Sequence, residues 1–436
     1  MNDNDIFKIL NQNEIFNSTE LDELLSSIEQ TMIEYINNNV AMLMYANFDS
    51  GLINYTYQIY ATQLLPIYKS NMKFIIEFKL TNIIRNIKNK LYVNLIPRRS
   101  YPYSFVRNVM VDIKHLGEKI TILENEYQPV QRTEEWYIFR HNLLTASSIW
   151  KVFGTQSCQN QLIYEKCCPY VEHKQTSPSS PLHWGQKYEP VSIQFYEYFY
   201  KTKIKEFGCI KHRKYSYIGA SPDGIVMDKH NPRYGRMLEI KNVVSRTING
   251  IPKMEYWIQM QLQMETCDLN ECDFLETKFI EYENEEDFNS DGCFSYSNDK
   301  KLKGIIIAFA HEDRFHYEYA DTLISKDEYD KWEKEILEKN SHMIWMQNVY
   351  WKLQEYSNVL VLRNKLWFAN VLPKITGFWE TILHEKANGF YHRAPSKRRR
   401  PNSSEANNVN NANNKGGNHI FNSQKCMISL PDDNND

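Results

Sequence analysis

The sequence predicts an α/β (α+β) fold, a sheet core flanked by helices, with helical extensions at both ends. Three observations predict it. Strand-like runs cluster between residues 218 and 310 of the 436-residue chain. Helical periodicity prevails up to about residue 125 and again over 326–390. Between them, the stretch from Tyr217 to Lys241 sets a tight turn against an alternating strand that carries Glu239 and Lys241.

Residues 1–125 read as a helical accessory domain. Ser18-Thr-Glu-Leu-Asp22 offers a helix start, and Leu24, Leu25, Ile28, Met32, Ile33 and Ile36 follow at helical spacing. Two more apolar segments, Ile53–Ile67 and Phe74–Leu91, follow. The second ends in Arg85, Lys88 and Lys90, a solvated face or a DNA contact. No catalytic constellation occurs here.

The residues that could carry chemistry begin in the next block, 126–325. Thr133 is a predicted N-cap for a helix through Arg140. Thr145 is a second predicted N-cap, which places Ser147 in a first helical turn and Gly154 just past the end. A helix N-terminus with a hydroxyl and a nearby arginine suits a phosphate, so Arg140 and Ser147 are candidate phosphate anchors; the alternative is an ordinary capped helix. Farther on, Trp184, Tyr188, Val191, Phe195 and Tyr198 form a buried stripe, with Glu189 beside it and Pro190 expected to kink the helix. A half-buried Glu189 would need a partner, and a metal would provide one. The basic run Lys201 to Lys214, interleaved with Phe207 and Tyr215, fits either a phosphate backbone or solvent.

Ser221-Pro222-Asp223-Gly224 is a strong turn signal, and Asn231 to Gly235 is another. Met237, Glu239 and Lys241 share one face of the following strand. A strand at Ile218–Ala220 joined to this one would hold Asp223 near Glu239 and Lys241. Two carboxylates at one site repel unless a cation lies between them. Mg²⁺ bound there can acidify a water and neutralise charge on a phosphodiester, and a lysine can position that water. Glu-x-Lys alone is weak, since it recurs at Glu77-Phe-Lys79 and Glu276-Thr-Lys278. The turn-borne Asp sixteen residues before Glu239 sets the central copy apart.

After Pro252 a helix runs from Met254 to Glu265. Gln261 falls on its apolar face and could brace a site group, while Gln259 and Gln263 pair on another. Asp273–Tyr282 and Gly304–Ala310 read as strands, with an acidic loop between them. Residues 326–390 read as a helical extension and 391–436 as a disordered tail, whose Lys397–Arg400 patch suits nuclear import or DNA attachment. Net charge is −3, so only local patches would attract nucleic acid. Eight scattered cysteines without a Cys-x-x-Cys pair read as reduced thiols. The absence of a signal peptide or membrane-length apolar run points to a soluble intracellular protein, in host cytoplasm or nucleus.

Five motifs stand in one order: Arg140 with Thr145-Ala-Ser147, Trp184-Gly-x-x-Tyr-Glu189, Ser221-Pro-Asp223-Gly, Leu238-Glu239-Ile-Lys241, and Gln259-x-Gln261. The segment 130–312 thereby resembles the YqaJ-type viral recombinases, which are similar to the exonuclease of bacteriophage lambda. The resemblance implies a restriction-endonuclease-like core of the PD-(D/E)xK class, with a mixed sheet flanked by helices. It implies Mg²⁺, replaceable by Mn²⁺, and 5′-to-3′ degradation of one strand of linear duplex DNA with free ends. It makes Asp223 and Glu239 metal ligands, Lys241 the water-positioning base, Glu189 a further acidic ligand, Gln261 a support, and Arg140 and Ser147 phosphate anchors. A single-strand annealing protein is the implied partner. Oligomeric state stays open, as do an endonuclease or junction-cleaving enzyme on the same core and a non-catalytic DNA-binding scaffold.

Overall fold

The computed structural model describes residues 18–102, 112–171, 177–311 and 314–395. Of the expected disordered tail, Tyr391–Arg393 form a 3-10 turn, with Arg393 bonded to Glu385 at 3.0 Å, while residues from 396 on, with the Lys397–Arg400 patch, lie outside the described residues. Four helices come first, α1 (Ser18–Asn38), α2 (Phe48–Leu64), α3 (Ser70–Asn94) and α4 (Ile113–Asn125). They match the apolar periodicity: Leu21, Ile28, Met32 and Ile36 make one buried stripe on α1. Their core is continuous with that around Trp257 and Trp367 farther along the chain. Arg99 fastens the two regions, donating from Nε to the Pro252 carbonyl at 2.9 Å and from Nη1 to that of Met44 at 2.8 Å.

Seven more helices follow among the described residues: α5 (Glu134–His141), α6 (Gln156–Cys167), α7 (Pro181–Tyr200), α8 (Met254–Cys267), α9 (Glu285–Ser290), α10 (Lys326–Lys339) and α11 (Lys365–Asn388). The strands are β1 (Leu144–Thr145), β2 (Ile204–Lys205), β3 (Ile210–Lys211), β4 (Ile218–Ala220), β5 (Gly224–Val226), β6 (Met237–Asn242), β7 (Glu271–Glu281), β8 (Lys303–His311), β9 (Arg314–Tyr319) and β10 (Ile344–Leu362). They build a small sheet in the order β1-β4-β3 and a larger one in the order β2-β5-β6-β7-β10-β8-β9. The large sheet is mixed, because β6 and β7 run parallel while its other pairs are antiparallel. With helices packed around it, this is the α/β architecture the sequence predicts.

Three expectations need correction. Ile218–Ala220 does not pair with β6; as β4 it belongs to the small sheet, and Ser221–Asp223 crosses to the large one. The strand paired with β6 is β5, which begins at Gly224. A Cβ at Gly224 would lie 2.2 Å from Ile204 Cγ2, so only glycine lets β2 close on β5.

The segment 326–390 is not wholly helical. Its middle is β10, placed inside the sheet between β7 and β8. Buried Val349, Trp351 and Leu353 alternate there, and Val359 to Leu362 are buried without a break. Alternation followed by a β-branched apolar run is a strand signature, and the flanking helical segments mask it in a broad window.

Pro190 leaves α7 continuous from Pro181 to Tyr200. A missing N–H costs one backbone bond, whereas Tyr188, Val191, Phe195 and Tyr196 pack their helix face on Val226, Leu238 and Leu275 of the sheet. The acidic stretch after Glu281 includes the short α9, capped by Asn284. The cysteines of the described residues are free thiols. No helix among these residues is long and apolar enough to cross a membrane.

Candidate functional site

The site lies where β5 and β6 meet. Their antiparallel register sets Gly224 opposite Leu238, so Asp223 arrives beside Glu239. Asp223 Oδ2 accepts the backbone N–H of Ile240 at 2.7 Å, which locks the turn onto β6. Glu239 is fully buried. Its Oε1 takes the Lys241 ammonium, two residues on and on the same strand face. Its Oε2 accepts Gln263 Nε2 at 2.7 Å.

Electrostatics single out the same trio. Burial, with the charges of Glu239 and then Glu189 added, drives the Asp223 carboxyl well above its ordinary range, against Lys241 and the Ile240 N–H. Burial works against the Lys241 charge, but Glu239 and then Asp223 outweigh it and hold this ammonium above the ordinary lysine range. Two neighbouring carboxylates with one lysine between them form a desolvated site that a cation would relieve.

Glu189 reaches the neighbourhood from α7 but faces Arg132, whose Nη2 lies 2.6 Å from its Oε2. Burial raises its carboxyl, Arg132 opposes this, and Glu206 adds to it. Among the described residues no three or more His, Cys, Asp and Glu side chains converge as metal ligands. The strands bring Asp223 and Glu239 together as a pair, and Glu189 stands beside them, paired with Arg132 and close enough for its charge to raise Asp223. A pair still fits Mg²⁺, which takes one or two carboxylates and fills its shell with waters and substrate phosphate. Among the described residues the Gln263 Oε1 beside Glu239 has no hydrogen-bond partner, a buried hard oxygen left open at this place.

Gln261 does not reach the carboxylates. It accepts the Asn364 N–H at 2.6 Å and donates to the Leu362 carbonyl at 3.0 Å, so it joins the end of β10 to the start of α11. The glutamine on Glu239 is Gln263, which also donates to the Ser221 carbonyl at 3.2 Å. A shift of two residues along a helix turns the side chain by about 200°, and the Gln259/Gln263 spacing is the sequence signal for that other face. The two glutamines predict different defects. Gln261→Leu should destabilise the protein by about 1–3 kcal/mol by orphaning two buried backbone groups, read as a lower Tm. Gln263→Leu should loosen Glu239 and cut any activity that depends on that carboxylate about 10- to 100-fold. Equal effects of the two changes on activity would refute this division.

Arg140 and Ser147 do come together. Arg140 Nη2 donates to Ser147 Oγ at 2.9 Å, and its Nη1 reaches Ser221 Oγ at 3.3 Å. Its guanidinium stacks 4.1 Å from the Trp136 ring, and Trp136 Nε1 also donates to Ser221 Oγ, at 3.2 Å. Ser221 thus ties the arginine to the turn that carries Asp223. Sequence reasoning missed Trp136 and Ser221 as site residues; Trp136 precedes Arg140 by four on α5, one helical turn away. Thr133 caps α5 as expected, accepting the Trp136 N–H. The second expected cap fails. Thr145 lies in β1, and Ser148 leads into a five-residue 3-10 turn, Ile149–Phe153, with no side-chain cap. The Ala146 and Ser148 N–H groups are spent on Gly219 and Thr145 carbonyls, so the cradle is a side-chain one, without a helix N-terminus. Gly154 follows at φ −78°, not in the left-handed region.

Beneath Arg140, the buried Lys166 donates from Nζ to the Arg140 carbonyl at 2.9 Å. Burial, eased by Glu165 and reinforced by Arg140, pulls this ammonium down to about 8 from the ordinary lysine value of 10.5. Between those two values the unfolded chain binds more protons than the folded one, so this group's contribution to stability rises with pH. The Tm of the wild type minus that of Lys166→Met should therefore climb across that window, and a flat difference would contradict it.

Half of the basic run from Lys201 to Lys214 is ion-paired. Lys203 meets Glu197 at 2.8 Å, Lys205 meets Glu124 at 2.6 Å, and Arg213 meets Glu126 at 3.0 Å. Exposed pairs of this kind favour a solvated face over a phosphate track.

Residues 135–270 match the family model for the YqaJ-like viral recombinase domain. An uncharacterized protein of Acanthamoeba polyphaga mimivirus is 29% identical over 305 residues. That match covers 61% of this chain and 54% of the relative, so the chain spans about half the relative's length. Among solved structures, an alkaline exonuclease from Laribacter hongkongensis is similar at 19% identity and a TM-score of 0.36, over 59% of this chain and 95% of that one. The same enzyme in complex with dAMP is similar at 20% identity and a TM-score of 0.35, over the same shares.

Proposed function

We propose that this chain, which carries a YqaJ-like viral recombinase domain over residues 135–270, is a metal-dependent DNA exonuclease acting in viral recombination, repair or end processing. The observation that carries this reading is the pairing of Asp223 with Glu239 across β5 and β6, with Lys241 bonded to the glutamate. In this reading Asp223 and Glu239 hold Mg²⁺ or Mn²⁺, both ions that accept carboxylate oxygens. The ion supplies charge neutralisation at the scissile phosphate and a more acidic water. Lys241, on the same face, orients that water and offsets negative charge as it develops. Gln263 fixes the Glu239 carboxylate through its Oε2. Glu189, paired with Arg132, adds negative charge at the edge of the site.

Direction comes from the Arg140 cradle. Arg140 offers two nitrogens on a fixed plane, with Ser147 and Ser221 as hydroxyl partners. A terminal phosphate carries more charge than an internal diester, so the cradle favours a 5′-phosphorylated end of linear duplex and 5′-to-3′ digestion. The product is single-stranded DNA, the substrate of an annealing protein. The deciding assay is purified protein with Mg²⁺ on linear and on covalently closed circular duplex DNA. Degradation of the linear form alone supports the exonuclease, nicking or cutting of circles would replace it with an endonuclease, and binding without cleavage would leave a scaffold.

A further inference from the structure

A second groove, of about 600 Å³, lies at the far end of α7 from Glu189, between that helix, β10 and the segment before β8. Its rim carries Tyr198, Phe199, Tyr296 and Tyr356, each between 36% and 48% exposed. These rings are held in place. Phe199 packs edge-on to Tyr356 at 5.8 Å, and the buried Phe195 backs Tyr356 at 4.8 Å. Around the rings stand Lys201, Lys300 and Lys301, none with a carboxylate partner among the described residues. That contrasts with the paired Lys203 and Lys205 a few residues on. Lys201 and Lys300 hold positive φ, 49° and 59°, a backbone conformation L residues rarely adopt. Glu355 is the carboxylate among the lining residues, so the local balance is positive.

We propose that this groove binds single-stranded DNA, stacking bases on Tyr198, Phe199, Tyr296 and Tyr356 while Lys201, Lys300 and Lys301 take the phosphates. Exposed rings interleaved with unpaired cations are what a sequence-tolerant single-strand site requires, because every base has a π-face and every nucleotide a charge. Duplex DNA keeps its bases stacked inside and cannot use the rings. The choice of DNA rests on the nuclease reading above, and the groove then receives the strand that digestion leaves.

The test is fluorescence anisotropy with labelled oligothymidylate about 12 nucleotides long, on the full chain, with chelator present so that no hydrolysis intervenes. Tyr198→Ala with Tyr356→Ala should weaken single-strand binding at least about 10-fold and leave blunt-duplex binding within about 2-fold. Lys300→Ala with Lys301→Ala should lower the slope of log affinity against log salt by about 1.4. All four residues are surface groups, and unchanged melting curves check the fold. Wild-type single-strand affinity in the aromatic variant would overturn the proposal, as would an equal loss on duplex and single strand. A hydrolysis assay with Mg²⁺ on the wild type reads the nuclease function separately: no cleavage with single-strand binding intact would remove that function and leave this groove.

Discussion

Glu239→Gln is expected to slow Mg²⁺-dependent degradation of linear duplex DNA by roughly 10²- to 10³-fold while the protein remains folded. The substitution keeps the side chain's shape and one oxygen for Lys241, removes the charge, and turns the second acceptor into an N–H donor. In the native chain that charge sits fully buried between the Lys241 ammonium and the Gln263 amide. Such a group tolerates burial because Lys241 balances it, and a divalent ion would balance it further. Asp223→Asn and Lys241→Ala should match it, the first by removing the partner carboxylate and the second by stripping the positive charge from the strand face. Glu189→Gln should be milder, since Glu189 is bound to Arg132 and stands apart from the pair. Chelation should abolish wild-type activity, with Mg²⁺ or Mn²⁺ restoring it. Near-wild-type rates for Glu239→Gln in the presence of Mg²⁺ would end the assignment.

The second large effect concerns the 5′ end. Wild-type protein should degrade a 5′-phosphorylated duplex faster than a 5′-hydroxyl one, and Arg140→Ala should erase most of that difference, a loss of roughly 10- to 100-fold on the phosphorylated end. Arg140 is stacked on Trp136 and bonded to two hydroxyls, so its nitrogens point where they are needed without reordering. Arg140→Lys should recover little, because an ammonium cannot span both serines in one plane. Metal dependence should survive both changes. The measurement is the rate ratio on two duplexes differing only at the 5′ group; equal wild-type rates on the two would remove the anchor role from Arg140.

Much of this site was legible because its signals are local. The Ser-Pro-Asp-Gly turn and the alternation of Met237, Glu239 and Lys241 place Asp223 and Glu239 together with little help from the rest of the chain. The Arg140–Ser147 contact was equally local, seven residues apart, although the helix cap invoked for it does not form. What failed depends on partners distant in sequence. Gln261 and Gln263 differ only in which way one turn of α8 faces, and that is decided by Leu362 and Asn364, about a hundred residues later. Glu189 comes inward with its helix as expected, and only its pairing with Arg132 was not foreseen, because ion-pair partners leave no periodicity to read. The strand β10 was missed because helices precede and follow it, and its own alternation is short.

The position of β10 also governs the order of events during synthesis. Among the described residues it is the last strand to be made, yet it lies inside the large sheet with β7 on one side and β8 on the other. Until residue 362 has emerged, β7 presents an unpaired edge and β8 and β9 have nothing to join. A nascent chain halted at the end of the family-matched segment, residue 270, lacks even β7, so the strand bearing Glu239 and Lys241 would be an open edge, prone to pairing with other chains. The residues proposed to be catalytic are therefore translated early and stabilised late. Protease resistance of stalled nascent chains should rise sharply only once β10 has cleared the ribosome.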